Sequence, residues 1–114
     1  MSKITSHVLD TARGKPAGGM TVVVEILRGP DHWTELARAV TDHDGRVARL
    51  TPDFTLIAPG IYRLRFLTAA YFQALGIRGF YPEIAVTVQI DDPAQHYHIP
   101  LLLSPFGYTT YRGS

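Results

Sequence analysis

His96-Tyr97-His98 places two imidazoles at alternate positions in a stretch rich in strand formers. Alternate side chains of an extended strand point the same way, about 7 Å apart along it. That is a metal-ligand spacing, but a metal site needs a third protein ligand, and no carboxylate stands nearby in a comparable pattern. The expectation is no metal. Without one, the plain alternative is that one imidazole faces a pocket and the other lies near solvent. His7 shares a strand face with Leu9 and Thr11, opposite Ser6 and Val8. A single ring there reads first as a surface or hydrogen-bonded group. Arg46, just after Gly45, and Arg112, two residues from the end, read by themselves as solvated cations. Tyr108 and Tyr111 offer phenolic donors. Ser104 and Ser114 are lone hydroxyls with no Gly-x-Ser-x-Gly around them, so no triad is indicated. No glycine-rich phosphate loop occurs. The residue types thus leave three scattered features, His7, Arg46 and the His96/His98 pair, and spacing alone assigns them no reaction.

The elements that must position them are strands. Val, Ile, Thr, Tyr, Phe and Trp make up 39 of the 114 residues, and 10 Gly and 8 Pro fall between the runs. Eight strands are expected: 3–11, 20–28, 32–41, 46–50, 61–67, 83–90, 95–103 and 108–112. Residues 84–90 alternate most cleanly, with Ile84, Val86, Val88 and Ile90 against Ala85, Thr87 and Gln89. Residues 32–41 alternate poorly, and strand is preferred to helix there. One short helix fits 68–75, with Thr68 as N-cap and Gly76 just past the C-terminus. Residues 12–19, with three Gly and one Pro, read as a turn. Pro100 cannot donate a ladder hydrogen bond, so its strand should carry a bulge, an edge or a gap there. With no strand–helix–strand rhythm, the fold class expected is all-β, a two-sheet antiparallel β-sandwich in a single domain over 1–114.

Composition narrows the function. Hydrophobic residues are 46% and charged residues 18%, a globular balance. Eleven Lys and Arg against ten Asp and Glu leave a net charge of +1. No field draws the chain to nucleic acid or an acidic membrane, so neither is an expected partner. Absence of Cys removes disulfides, thiolate nucleophiles and iron–sulfur clusters. The start, Met-Ser-Lys-Ile-Thr-Ser-His, has no apolar core of a leader, and a cytoplasmic location is expected.

Three blocks carry a resemblance over essentially the whole chain: Thr5-Ser-His-Val-Leu-Asp-Thr-Ala-Arg-Gly-Lys-Pro-Ala17, Thr41-Asp-His-Asp-Gly-Arg46, and His96-Tyr-His-Ile-Pro-Leu-Leu-Leu-Ser-Pro-Phe-Gly-Tyr-Thr-Thr-Tyr-Arg-Gly-Ser114. They resemble the transthyretin-related 5-hydroxyisourate hydrolases, whose hallmark is the terminal Tyr111-Arg-Gly-Ser114. The resemblance implies a transthyretin-like sandwich assembled as a homotetramer, a dimer of dimers, with active sites in clefts at the dimer–dimer interface. It implies opening of the hydroxyisourate ring to 2-oxo-4-hydroxy-4-carboxy-5-ureidoimidazoline, a small-molecule substrate, and no metal or other cofactor. By motif position the catalytic residues would be His7, Arg46 and His98, with Tyr111, Arg112, Gly113 and Ser114 lining the site.

The chemistry fits that assignment. A neutral imidazole can act as base near pH 7, and a guanidinium that keeps its proton can clamp an anionic or carbonyl oxygen. The expectation is that His7 and His98 share activation of the water, with Arg46 on the substrate and His96 as the alternative to His98. A non-catalytic small-ligand carrier of the transthyretin type is the competing function. It is disfavoured by the imidazoles and guanidinium, for which a hydrophobic channel has no use.

Overall fold

A computed structural model of the chain describes residues 4–47, 49–50 and 58–113. Among them the order is β1 (Ile4–Asp10), β2 (Lys15–Pro16), β3 (Thr21–Leu27), β4 (Trp33–Val40), β5 (Arg46–Val47), β6 (Gly60–Phe66), α1 (Thr68–Ala74), β7 (Ile84–Ile90), β8 (Tyr97–Ser104) and β9 (Gly107–Thr110). The strands form two sheets. One runs β2-β1-β8-β9 with β5 also on β1; the other runs β4-β3-β6-β7. The all-β sandwich with one short helix is therefore as expected. No helix among the described residues is long and apolar enough to cross a membrane.

Period-2 alternation builds the core. Tyr62, Leu64 and Phe66 of β6 point inward and are fully buried, as are Ile4 and Val8 of β1 and Leu101 and Leu103 of β8. Burial of each such side chain is worth about 1.5–3 kcal/mol. The opposite face of β1, carrying Thr5, His7 and Leu9, is only half-buried. Buried polar groups tie the elements together: Tyr71 on α1 donates to Asp10 on β1 at 2.7 Å, and within the sheet Ser6 Oγ on β1 donates to the Ile99 carbonyl on β8 at 2.6 Å.

Four expectations need correction. The sandwich is not wholly antiparallel, because β1 and β8 pair in parallel from Ile4↔Tyr97 to Asp10↔Leu103. A parallel pair needs a long crossover, and here most of the chain supplies it. The segment 12–19 is not all turn, since Lys15 and Pro16 pair back onto Asp10 and Leu9. Thr68 is not the N-cap: that position is Leu67, with no side-chain cap, and the Thr68 hydroxyl donates instead to the Tyr81 carbonyl at 2.5 Å. The last strand ends at Thr110, short of Arg112. The expected strand at 46–50 is seen as β5 at Arg46–Val47, and its position 48 lies outside the described residues.

Of the bulge, edge or gap expected at Pro100, the gap is present. Gly113 bridges His98, and pairing resumes at Leu101↔Thr110. Both pairs keep one register, so Pro100, which has no N–H to give, falls at the break. Its carbonyl is taken by the Thr110 hydroxyl at 2.7 Å.

Candidate active site

The outer face of the β1–β8 sheet gathers the residues singled out by type. Register does this. Arg46 on β5 stands beside His7 on β1, Thr5 on β1 stands beside His98 on β8, and Gly113 stands beside His98 on its other flank. Paired residues of a sheet share a face, so Arg46, His7, Thr5 and His98 form one continuous row.

Specific contacts fix the row. Asp42 shapes the turn before β5. Its Oδ1 accepts from the backbone N–H of Asp44 at 2.9 Å and of Arg46 at 3.0 Å. The Arg46 N–H bond is the main reason the Asp42 carboxyl sits below its ordinary pKa. Gly45 is obligatory in that turn. Its φ is +75°, and a Cβ would run into the Val8 carbonyl and lie 3.1 Å from Ala17 N. The Gly45 carbonyl in turn accepts from Val8 N–H at 2.7 Å, which fastens the turn to β1.

The same turn sets the tautomer of His7. His7 Nε2 lies 2.8 Å from the Asp44 carbonyl oxygen. A carbonyl only accepts, so Nε2 carries the proton and donates it, and Nδ1 of the neutral ring keeps its lone pair. The Arg46 side chain is exposed, and its guanidinium forms no ion pair among the described residues. Among the described residues it is an unpaired cation at the end of the row.

His98 is half-buried. Its Nδ1 lies 2.8 Å from Thr5 Oγ1, and Gly113 packs against the other edge of the ring, where an added Cβ would be 2.6 Å from Cδ2. Between these two contacts Nε2 has no hydrogen-bond partner among the described residues. Burial is the first cause holding its pKa below the ordinary imidazole value, followed by the charges of His96, Arg46 and His7.

The remaining residues divide. Gly113 joins the row, whereas Arg112 turns away. Its guanidinium lies 4.6 Å over the Tyr97 ring and donates to Gln95 Oε1 at 2.7 Å, and Tyr97 projects from β8 opposite to His98. Tyr111 is 57% exposed. Ser114 lies outside the described residues. The His96 and His98 nitrogens that face one another are spanned by the Thr5 hydroxyl. A separate trio, Asp42, His43 and Asp44, brings donor atoms within 4.8 Å of one another, but all three residues are exposed and Asp42 Oδ1 is already engaged in the turn. Thr5 and the Asp44 carbonyl were not foreseen. Thr5 shares its strand face with His7, which was the available signal, but its partner on β8 was not visible in the sequence.

Comparison with known proteins places this geometry. The model of the HIUase/Transthyretin family matches residues 4–113. The chain is 48% identical over 113 residues to a probable 5-hydroxyisourate hydrolase of Caenorhabditis elegans, covering 99% of this chain and 82% of that one. Among solved structures it resembles Klebsiella pneumoniae 5-hydroxyisourate hydrolase, with TM-score 0.86 and 33% identity over all of both chains. It also resembles sea bream transthyretin in complex with thyroxine, with TM-score 0.89 and 33% identity over 97% of this chain and 94% of that one. The backbone therefore does not separate hydrolase from carrier, and the side chains must.

Proposed function

This chain belongs to the HIUase/transthyretin family, and from that premise we infer that it is a hydrolase that opens 5-hydroxyisourate in urate degradation, by water attack on the cyclic amide. The observation that carries the reading is the row itself: a free guanidinium, an imidazole of fixed tautomer and a second, half-buried imidazole with a free nitrogen, on one face. In a carrier for an apolar ligand such groups would be desolvated without recompense.

The hydrogen bonds support the following roles. His98 Nε2 takes one proton of the attacking water, and His7 Nδ1 accepts a hydrogen bond from the other. The water oxygen bonds to the amide carbon, and Arg46 stabilises the charge gathering on the carbonyl oxygen. The carbon–nitrogen bond then breaks, and His98 returns its proton to the departing nitrogen. Arg112, held to Tyr97 and Gln95, anchors this segment so that Tyr111 and Gly113 border the substrate. The direct test adds purified protein to freshly made hydroxyisourate and follows its ultraviolet absorbance. Decay faster than the spontaneous rate is expected, and an unchanged rate leaves the carrier reading.

Acid should inactivate the enzyme late. His98 must be unprotonated to act, and its pKa lies below the ordinary value, first because of burial. The base therefore survives below about pH 6.5, and activity is lost only as pH falls through the lowered value. A rate–pH profile whose acid limb lies above that point contradicts this role.

Assembly as a homotetramer, a dimer of dimers, is part of the proposal. Among the described residues the sheets end in open edges at β4, β7 and β9, and Phe80 and Phe106 are 68% and 73% exposed. Unpaired edges and large exposed aromatics are what subunit contacts cover. Light scattering at micromolar protein should give four times the chain mass, and a monomer mass would overturn the assembly.

A further inference from the structure

One hydroxyl joins two imidazoles beside the site. Thr5 Oγ1 is 2.8 Å from His98 Nδ1 and 2.9 Å from His96 Nε2. We propose that Thr5 and His96 form a proton relay that switches His98 between base and acid; this rests on the hydrolase reading above.

A hydroxyl has one proton to give. Bridging two rings, it donates to one and accepts from the other, which allows only two settings. In the first, His98 Nδ1–H donates to Thr5 Oγ1, and Thr5 O–H donates to His96 Nε2. His98 Nε2 is then bare and acts as the base. In the second, His96 Nε2–H donates to Thr5 Oγ1, and Thr5 O–H donates to His98 Nδ1. His98 Nε2 then carries a proton and acts as the acid.

The two settings match the two halves of the hydrolysis. As the water attacks, its proton goes to His98 Nε2. The Nδ1 proton passes to Thr5 Oγ1, and the Thr5 proton passes to His96 Nε2. When the carbon–nitrogen bond breaks, the Nε2 proton goes to the departing nitrogen and the relay runs back. One proton has left water and one has reached nitrogen, with Thr5, His96 and His98 restored.

The surroundings explain why the charge should move. An imidazolium at His98 would be half-buried and would face His7 from β1 and Arg46 from β5, with Gly113 offering no counter-charge. His96 lies before β8 and is exposed, so water solvates the charge there. The two ring centroids are 6.5 Å apart, too far for direct transfer, which makes the hydroxyl necessary.

Thr5 is a positioning residue, and the test must separate proton transfer from support. Thr5→Val keeps shape and strand preference but removes the hydroxyl, and Thr5→Ser restores it. His96→Gln keeps an amide to hydrogen-bond Thr5 but cannot accept its proton. Thr5→Val and His96→Gln should each lower kcat about tenfold with KM little changed, a part of the ~10²–10⁴ contributed by general acid–base catalysis. Thr5→Ser should stay near wild type. Nitrogen-15 NMR of the wild-type rings should find the free protein in the first setting, with His98 protonated at Nδ1 and His96 Nε2 bare. His96→Gln at wild-type kcat, or Thr5→Ser as damaged as Thr5→Val, overturns the relay. So does an NMR spectrum with both facing nitrogens bare, which needs neither turnover nor a folded variant. Wild-type protein that does not speed hydroxyisourate decay sinks the hydrolase reading instead, with the ring tautomers still readable.

Discussion

Replacing His98 with Asn should lower kcat by on the order of 10²–10⁴-fold, the contribution of a positioned general base, and leave the protein folded. The ring lies on the half-buried outer face of β8, while the core uses the opposite face through Tyr97, Ile99, Leu101 and Leu103. Losing the Thr5 bond costs stability only about 1 kcal/mol. Asn can still reach the space but has no nitrogen that accepts a proton near neutral pH. His43→Asn is the matched control, because its side chain is 89% exposed and it lies outside the row. Initial rates by ultraviolet absorbance, with circular dichroism on the same samples, decide the matter. Equal losses at His43 and His98 would mean that the site has been misplaced.

Gly113→Ala should be nearly as damaging although it adds only a methyl group. The new Cβ would stand 2.6 Å from His98 Cδ2 and 3.4 Å from Cγ. The chain end cannot retreat freely, because Gly113 N–H donates to the His98 carbonyl at 2.8 Å. The ring must therefore give way, and Thr5 holds its other side. A displacement of about 1 Å at a reacting group costs on the order of 10²-fold in rate. The glycine is required here by space, since its φ is not in the left-handed region. Thermal stability should change little, while kcat falls and the His98 ring resonances shift. Full activity in Gly113→Ala would show that the ring tolerates displacement or that the chain end is not beside it in solution.

The sequence made some of this legible and hid the rest for a physical reason. Alternation located β6 and β7 closely and put His7 and Ser6 on opposite faces, because side-chain direction in a strand is a local property. The motif blocks picked out His7, Arg46 and His98. What joins them is not local. Thr5 and His98 are neighbours only through the parallel β1–β8 register, and no turn or hairpin signal reports a pairing whose connection is most of the chain. Thr5, a common strand residue, therefore passed unnoticed. Thr68 shows the opposite failure: a good capping residue whose hydroxyl found a better acceptor in Tyr81. Arg112 was grouped with its motif neighbours, but one step along an extended chain reverses the side on which a residue projects.

The parallel ladder between β1 and β8 also dictates when the site can exist during synthesis. Its partners Thr5 and His98 stand 93 residues apart in the chain, so Thr5 leaves the ribosome long before His98. Until then β1 lacks its long neighbour, and its paired backbone is limited to the two-residue contacts with β2 and β5. Long-range pairing of this kind is slow, because the chain must lose the freedom of a large loop before any contact forms. The nascent protein can thus form its β4-β3-β6-β7 sheet before β8 exists, and turnover begins only when β8 has docked on β1. Enzymatic activity therefore doubles as a report that β8 has been made and has docked on β1.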